Sequence, residues 1–239
     1  MNFSDVKEMY IPVNGSNVEV SQVKDSTGTI LWAKSGGGGG LPSGYQQVEY
    51  IESGNGQYID TGLSIWSYCD KLRIEIDMLI PSGAQAAYAC QGVGNWGGNY
   101  GYYLEFPGGA SSNTLQFGSG QYSDAFATTP NDHQRHKYIL DCDDEEVYVD
   151  TTVLTFNKWN TNADYGNIFL FALGKNNVKQ VALICRIYSC KFYDSGTLLR
   201  DFVPCYRTSD NVNGLYDLVE GTFYSNPGGT NFVQGNDVN

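Results

Sequence analysis

The sequence holds 239 residues, of which 41% are hydrophobic and 14% aromatic, and it carries a net charge of −12 with a pI near 4.4. That content is enough for a packed core and excludes wholesale disorder. With 14 Lys and Arg against 26 Asp and Glu, neither a nucleic-acid backbone nor an anionic membrane surface is an expected partner.

In chain order, Met1-Asn2-Phe3-Ser4-Asp5-Val6-Lys7-Glu8 has neither the basic start nor the apolar run of a signal peptide. No stretch approaches the ~20 apolar residues of a membrane span, so synthesis and folding in a cytoplasm without membrane insertion is the expectation. Residues 1–35 read as a small β unit. Met9 to Val13 forms a strand, Asn14-Gly15-Ser16 a turn, Val18 to Val23 a second strand by alternation, and Asp25-Ser26-Thr27-Gly28 a turn into Thr29 to Trp32. A three-stranded meander this short is marginal alone and needs a partner surface. Two readings stand: an N-terminal docking element, or a first sheet packed on the main domain. Gly36 to Gly40 then forms a flexible hinge that spans roughly 12 Å at random-coil dimensions.

Residues 41–239 read as one β domain. It opens with Val48 to Ile51 and Tyr58 to Ile59 around Ser53-Gly54-Asn55-Gly56, a pattern that predicts a hairpin. The clearest strand is Lys71 to Ile80. Leu72, Ile74, Ile76, Met78 and Ile80 fall on one face and Lys71, Arg73, Glu75 and Asp77 on the other, a strict period of two. Further strands are expected over 86–93, 100–106, 114–117, 135–141, 146–154, 168–173, 182–193 and 197–204, with Asp194-Ser195-Gly196 as a hairpin turn. No segment holds a helical period. Many short strands joined by glycine-rich connections indicate an all-β sandwich or barrel.

The residues that carry chemistry are few. Cys185 and Cys190 share one expected strand, where five steps put them roughly 16 Å apart on opposite faces, beyond disulfide reach. The six cysteines show no Cys-x-x-Cys pair, so buried thiols rather than a zinc site are expected. Asp143-Asp144-Glu145-Glu146 offers clustered carboxylates for calcium, but without an EF-hand alternation it reads as a solvated turn. His133 and His136 sit in a polar loop entering a strand, with no other ligand at a telling spacing. No metal and no cofactor is expected. Binding is the better prospect. Sugars stack on aromatic rings and hydrogen-bond to Asn and Asp, and three runs mix such residues with glycine or asparagine. The first holds Asn95, Trp96, Asn99, Tyr100 and Tyr102, the second Tyr122, and the third Trp159. The alternative for each ring is a place on the core edge or a subunit interface.

Two bracketing sets of motifs carry a family resemblance. Val48-Glu49-Tyr50-Ile51-Glu52-Ser53 with Gln57-Tyr58-Ile59-Asp60-Thr61-Gly62 opens the domain. Ile187-Tyr188-Ser189-Cys190-Lys191-Phe192-Tyr193, Leu199-Arg200-Asp201-Phe202-Val203-Pro204-Cys205, Gly214-Leu215-Tyr216-Asp217-Leu218-Val219 and Phe223-Tyr224-Ser225-Asn226 close it. Together they resemble the concanavalin-A-like (laminin-G-like) jelly-roll domain found in phage and prophage proteins of gut bacteria. The resemblance implies a jelly-roll β-sandwich over residues 41–239 in a virion protein: a fibre, tail or head decoration. Residues 1–35, which are similar to short N-terminal segments of such proteins, would dock on other virion proteins. A homo-oligomer is expected of such an appendage, since weak sites on linked copies gain strength together; the resemblance names no ligand, and it is the aromatic and amide runs that make a cell-surface or mucus glycan the candidate. A purely structural role is the alternative. A third reading comes from retaining glucanases of the same superfold, whose strand carries two Glu around an Asp. Glu75-Ile76-Asp77 resembles its start, but Leu79 and Ile80 stand where the second Glu belongs, so no enzyme is expected.

Overall fold

The computed structural model describes residues 10–13, 16–19, 22–24, 30–33, 41–54, 56–64, 71–81, 102–105, 114–119, 126–130, 132–155, 167–175, 178–182 and 184–238. Those before 41, between 102 and 130, and at 173–175 and 180–182 are described by backbone alone. The chain divides into two compact units, Met1–Ser43 and Gly44–Asn239. The described residues form strands and turns and no helix.

In the first unit, β1 (Tyr10–Val13) pairs antiparallel with β2 (Ser16–Glu19), and β3 (Gln22–Lys24) with β4 (Ile30–Ala33). The expected second strand is therefore divided. Val13 stands opposite Ser16 and Tyr10 opposite Glu19, so β2 is used up by Glu19 and β3 takes β4 as its partner. Among its described residues the unit shows two separate antiparallel strand pairs where a three-stranded meander is expected. The expected hinge, Gly36 to Gly40, lies outside the described residues.

The second unit comprises β5 (Tyr45–Gln47), β6 (Ile51–Glu52), β7 (Ile59–Ser64), β8 (Leu72–Leu79), β9 (Tyr102–Glu105), β10 (Thr114–Ser119), β11 (Phe126–Pro130), β12 (Arg135–Asp141), β13 (Glu146–Val149), β14 (Thr152–Thr155), β15 (Asn167–Leu170), β16 (Ala172–Lys175), β17 (Val178–Ala182), β18 (Arg186–Asp194), β19 (Thr197–Arg207), β20 (Val212–Asp217), β21 (Thr222–Ser225) and β22 (Val233–Gln234). The large sheet has the order β14-β13-β12-β8-β18-β19-β20-β21, with β5 on β19, β6 on β18 and β22 on β6. Separate antiparallel pairs are β7–β15 and β16–β17, and β11-β10-β9 is a third small sheet. One apolar cluster joins Leu72, Ile74, Ile76 and Met78 of β8 to Ile59 and Leu63 of β7 and to Ile168 and Leu170 of β15. The sheets thus face each other across a shared core: an all-β sandwich of jelly-roll character. Each fully buried Ile, Leu or Phe contributes about 1.5–3 kcal/mol to that packing.

β8 alternates buried and half-buried along its whole length, as its sequence dictates. The opening motif does not form a hairpin. Ile51 pairs with Ile187 of β18 and with Gln234 of β22, whereas Ile59 pairs with Leu170 of β15. The Ser53–Tyr58 segment carries the chain from one sheet to the other. Its polar residues hold that crossing. The Ser53 backbone N–H donates to the Cys185 carbonyl at 3.1 Å, Gln57 Oε1 accepts from Gly54 N at 2.8 Å, and Asn226 Oδ1 accepts from Tyr58 N at 3.3 Å. Thr61, fully buried, donates to the Ile168 carbonyl at 2.7 Å and ties β7 to β15. The motif is a fold signature because nearly every residue in it holds a strand or a crossing.

Three expected strands are interrupted. The 146–154 run turns at Asp150 (φ 54), the 168–173 run at Phe171 (φ 63), and the 182–193 run breaks between β17 and β18. A bulge between Ile187 and Ser189 shifts the register of β18 against β8, so Cys185, Ile187, Cys190 and Phe192 are all fully buried. Cys185 and Cys190 therefore do not take opposite faces. Ser195 (φ 49) and Gly196 (φ 78) form the expected tight turn between β18 and β19. Asp143 and Asp144 are exposed in the turn between β12 and β13.

Candidate functional site

The predicted ligand residues Asn95, Trp96, Asn99, Tyr100, Tyr122 and Trp159 lie outside the described residues, and Tyr102 is described by backbone alone, as the first residue of β9. The strands around them still fix how their runs are connected. Tyr102 stands opposite Ser119, the last residue of β10, and Gly118 stands opposite Phe126, the first of β11. In an antiparallel pair these residues mark one end of the sheet. The first residue of β9, the last of β10 and the first of β11 therefore lie at the same end of the three-stranded sheet. Trp159 follows β14, the edge strand of the large sheet, which β11 approaches.

The outward face of the large sheet is a lattice of opposite charges. Glu75 and Asp77 project from β8, flanked by β12 and β18. Glu75 pairs with Arg73 at 3.0 Å and Lys137 at 2.9 Å, and Asp77 with Arg135 at 2.6 Å. Arg73 also reaches Asp141 at 2.6 Å, and Lys191 reaches Asp201 at 2.9 Å. Burial opposes ionisation of Glu75, but hydrogen bonds from Lys137 and Arg73 outweigh it and hold its carboxyl below the usual range. A carboxylate so held is a poor proton donor, so Glu75 and Asp77 act here as anchors of a charge lattice. Four groups stack in a row across this face. The Arg186 guanidinium lies 4.7 Å from the Tyr50 ring centroid, Tyr50 and Tyr188 are 5.3 Å apart, and Arg135 lies 3.8 Å from Tyr188. Arg186 is also paired with Glu52.

Two polar clusters sit at opposite margins of the sheet. His136 bridges Asp150 at 2.6 Å through Nδ1 and Asp132 at 2.9 Å through Nε2. Burial disfavours its charge, but the two carboxylates outweigh that and raise its pKa. With both ring nitrogens engaged, His136 is a clamp on two carboxylates. At the other margin, Asp217 is fully buried and accepts the backbone N–H of Asp201 and of Val219, each at 3.0 Å. Arg200 approaches it at 3.3 Å and pairs with Glu220 at 2.6 Å, and Tyr224 donates to Glu220 at 3.1 Å. Burial raises the pKa of Asp217 and carries the Tyr224 hydroxyl to about 12. Burial likewise pushes the Cys205 thiol up to about 12, which leaves it protonated and unreactive at neutral pH. Sequence reasoning singled out His136 but not its partner Asp150, which reaches it from a turn with positive φ. It placed Arg200 and Asp217 inside the closing motif without linking them, since their meeting depends on how β19 pairs with β20. Among the described residues no group of three or more His, Cys, Asp or Glu is arranged to hold a metal ion, and no helix is long and apolar enough to cross a membrane.

No family model matches the sequence, and a search of curated proteins finds no match. Among solved structures the chain is similar to one described as "NanB plus Optactamide", with a TM-score of 0.41 and 10% identity. The match covers 79% of this chain and 38% of that one, so this chain spans well under half of its length.

Proposed function

We propose that this protein is a phage virion component, a fibre, tail or head decoration, whose sandwich displays loops that adhere to host-cell or mucus glycans. In this reading residues 1–35 dock on other virion proteins, Gly36 to Gly40 is the hinge, and the chain works as a homo-oligomer. One observation carries the adhesive part. Tyr102 stands opposite Ser119, so the strand ends that border the Asn95–Tyr102 run and the Tyr122 connection share one end of a small sheet, which supports a joint role for the two runs. Two aromatic- and amide-bearing runs at one sheet end can act on one sugar chain, where a single exposed ring binds weakly. The opening and closing motifs support the virion part through the family they resemble.

Deletion of residues 1–35 in the phage genome tests the docking claim. Particles should form without the protein, while the truncated chain remains soluble with a β-type circular dichroism spectrum. Normal incorporation of the truncated chain would sink the claim. A purely structural role is the second reading, favoured by the way both motif sets serve strand pairing; it expects particles that lack the protein to lose stability but not adhesion.

A further inference from the structure

We infer that the outward face of the large sheet is a second ligand surface, which takes an extended polysaccharide bearing carboxylate groups and anchors it on Arg135 and Arg186. The inference rests on the glycan-binding reading above but uses a different surface from the loops.

Charge is the first observation. The chain carries a net −12, yet five of its 14 Lys and Arg, namely Arg73, Arg135, Lys137, Arg186 and Lys191, lie on this one face. Within each ion pair the cation is the outer member. Side-chain exposure is 52% for Arg135 against 24% for Asp77, 53% for Lys137 against 17% for Glu75, and 34% for Arg73 against 8% for Asp141. The five cations are balanced by Glu52, Glu75, Asp77, Asp141 and Asp201, but the carboxylates lie beneath and the cations meet solvent, so a ligand seated on the face touches the cations first.

Order is the second. Arg135 and Arg186 both stand opposite Leu79, one on each side of β8. They are two strand spacings apart, about 9.5 Å, of the order of a disaccharide repeat. Each guanidinium is already stacked on a tyrosine and paired with a carboxylate, so little side-chain freedom remains to be lost on binding. Arg135 holds Asp77 through Nε and Nη2, which leaves its Nη1 edge for an acceptor above the sheet. Leu79 and the tyrosines between the two cations give a sugar ring an apolar floor. A second copy of the chain is the rival occupant, drawn by its own acidic surface. A stable protein interface wants an apolar centre, and the large exposed hydrophobics of this face among the described residues, Val153 of β14 and Val233 of β22, stand at its edges rather than its centre.

The experiment is titration calorimetry of the full-length chain with polygalacturonate, with dextran as the neutral polymer. The wild type should bind polygalacturonate, more weakly as salt rises, and should not bind dextran through this face. Arg135→Gln and Arg186→Gln should each lower the affinity about tenfold, the scale of one lost charge-assisted hydrogen bond. Asp77→Asn should raise it, because it removes a negative charge from beneath the ligand while an amide oxygen still accepts from Arg135 and the Tyr188 stack keeps the guanidinium in place; a merely structural role for the lattice expects the opposite sign. Thermal melts check that every variant is folded, and Asp77→Asn keeps the test alive if an arginine variant is not. Unchanged affinity in both arginine variants overturns the inference while leaving the loop reading intact. So does self-association in sedimentation that those variants abolish without any polymer binding. Intact polygalacturonate binding beside loops that bind no glycan overturns the loop reading alone.

Discussion

Arg200 Nε lies 3.3 Å from the fully buried Asp217 Oδ2 as an ion pair without a hydrogen bond between the two atoms, while Asp217 Oδ1 accepts the backbone N–H groups of Asp201 and Val219. The pair explains why the closing motifs contain Arg and Asp in strands that otherwise bury Phe202 and Leu215. Removing the cation leaves a buried charge without its counter-ion. Arg200→Ala should therefore cost about 3–5 kcal/mol. Asp217→Asn keeps an acceptor for the two N–H groups and should cost less, and the double variant should recover part of the single loss. Urea unfolding followed by tryptophan fluorescence measures all three; equal losses for Arg200→Ala and Asp217→Asn would contradict the account.

Gly214 is required by space. A Cβ built there would lie 2.1 Å from the Tyr224 carbonyl oxygen and 2.8 Å from the Phe223 ring, on the neighbouring strand. Gly214→Ala should open the β20–β21 ladder and cost about 3 kcal/mol, at the upper end for overpacking because a backbone atom must move. Gly229 differs: its φ is +76 but nothing lies within 4 Å. Gly229→Ala should cost only about 1 kcal/mol, the strain of a left-handed alanine. Thermal melts should rank the two in that order.

The His136 clamp predicts a pH dependence of definite sign. Its folded pKa is raised, so its contribution is complete below the unfolded value of about 6.5 and is lost as pH climbs through the folded value. Asp132 and Asp150 are lowered, chiefly by their hydrogen bonds to His136, so their contributions stand above about 3.9 and fade as pH falls through their folded values. Denaturant midpoints should decline from pH 6 towards pH 9, and His136→Gln should flatten that decline. An unchanged slope in the variant would remove the clamp from the account.

Much of the fold was legible in the sequence. Lys71 to Ile80 alternates without a fault, and β8 follows it because one face lies in the core and the other in solvent. The opening stretch misled for a physical reason: local apolar runs around glycines signal a turn but not a partner. Val48 bridges Asp237 and Ile59 pairs with Leu170, contacts set by chain closure far along the sequence. The bulge after Ile187 was equally unreadable, since it shows only in the register against β8. For the candidate site, the residue types were legible but their company was not. Arg135 comes from β12, Tyr188 and Arg186 from β18 and Tyr50 from the segment before β6, and only the order β12-β8-β18-β6 sets them in one row.

Display of glycan-binding loops is the central claim, and a glycan array probed with the full-length, oligomeric chain tests it most directly. The account predicts binding to a restricted set of glycans, reduced at least tenfold in Trp96→Ala and in Tyr122→Ala while the melting temperature holds. A folded, multivalent sample that binds nothing on the array, or binds equally well without those two rings, would contradict it.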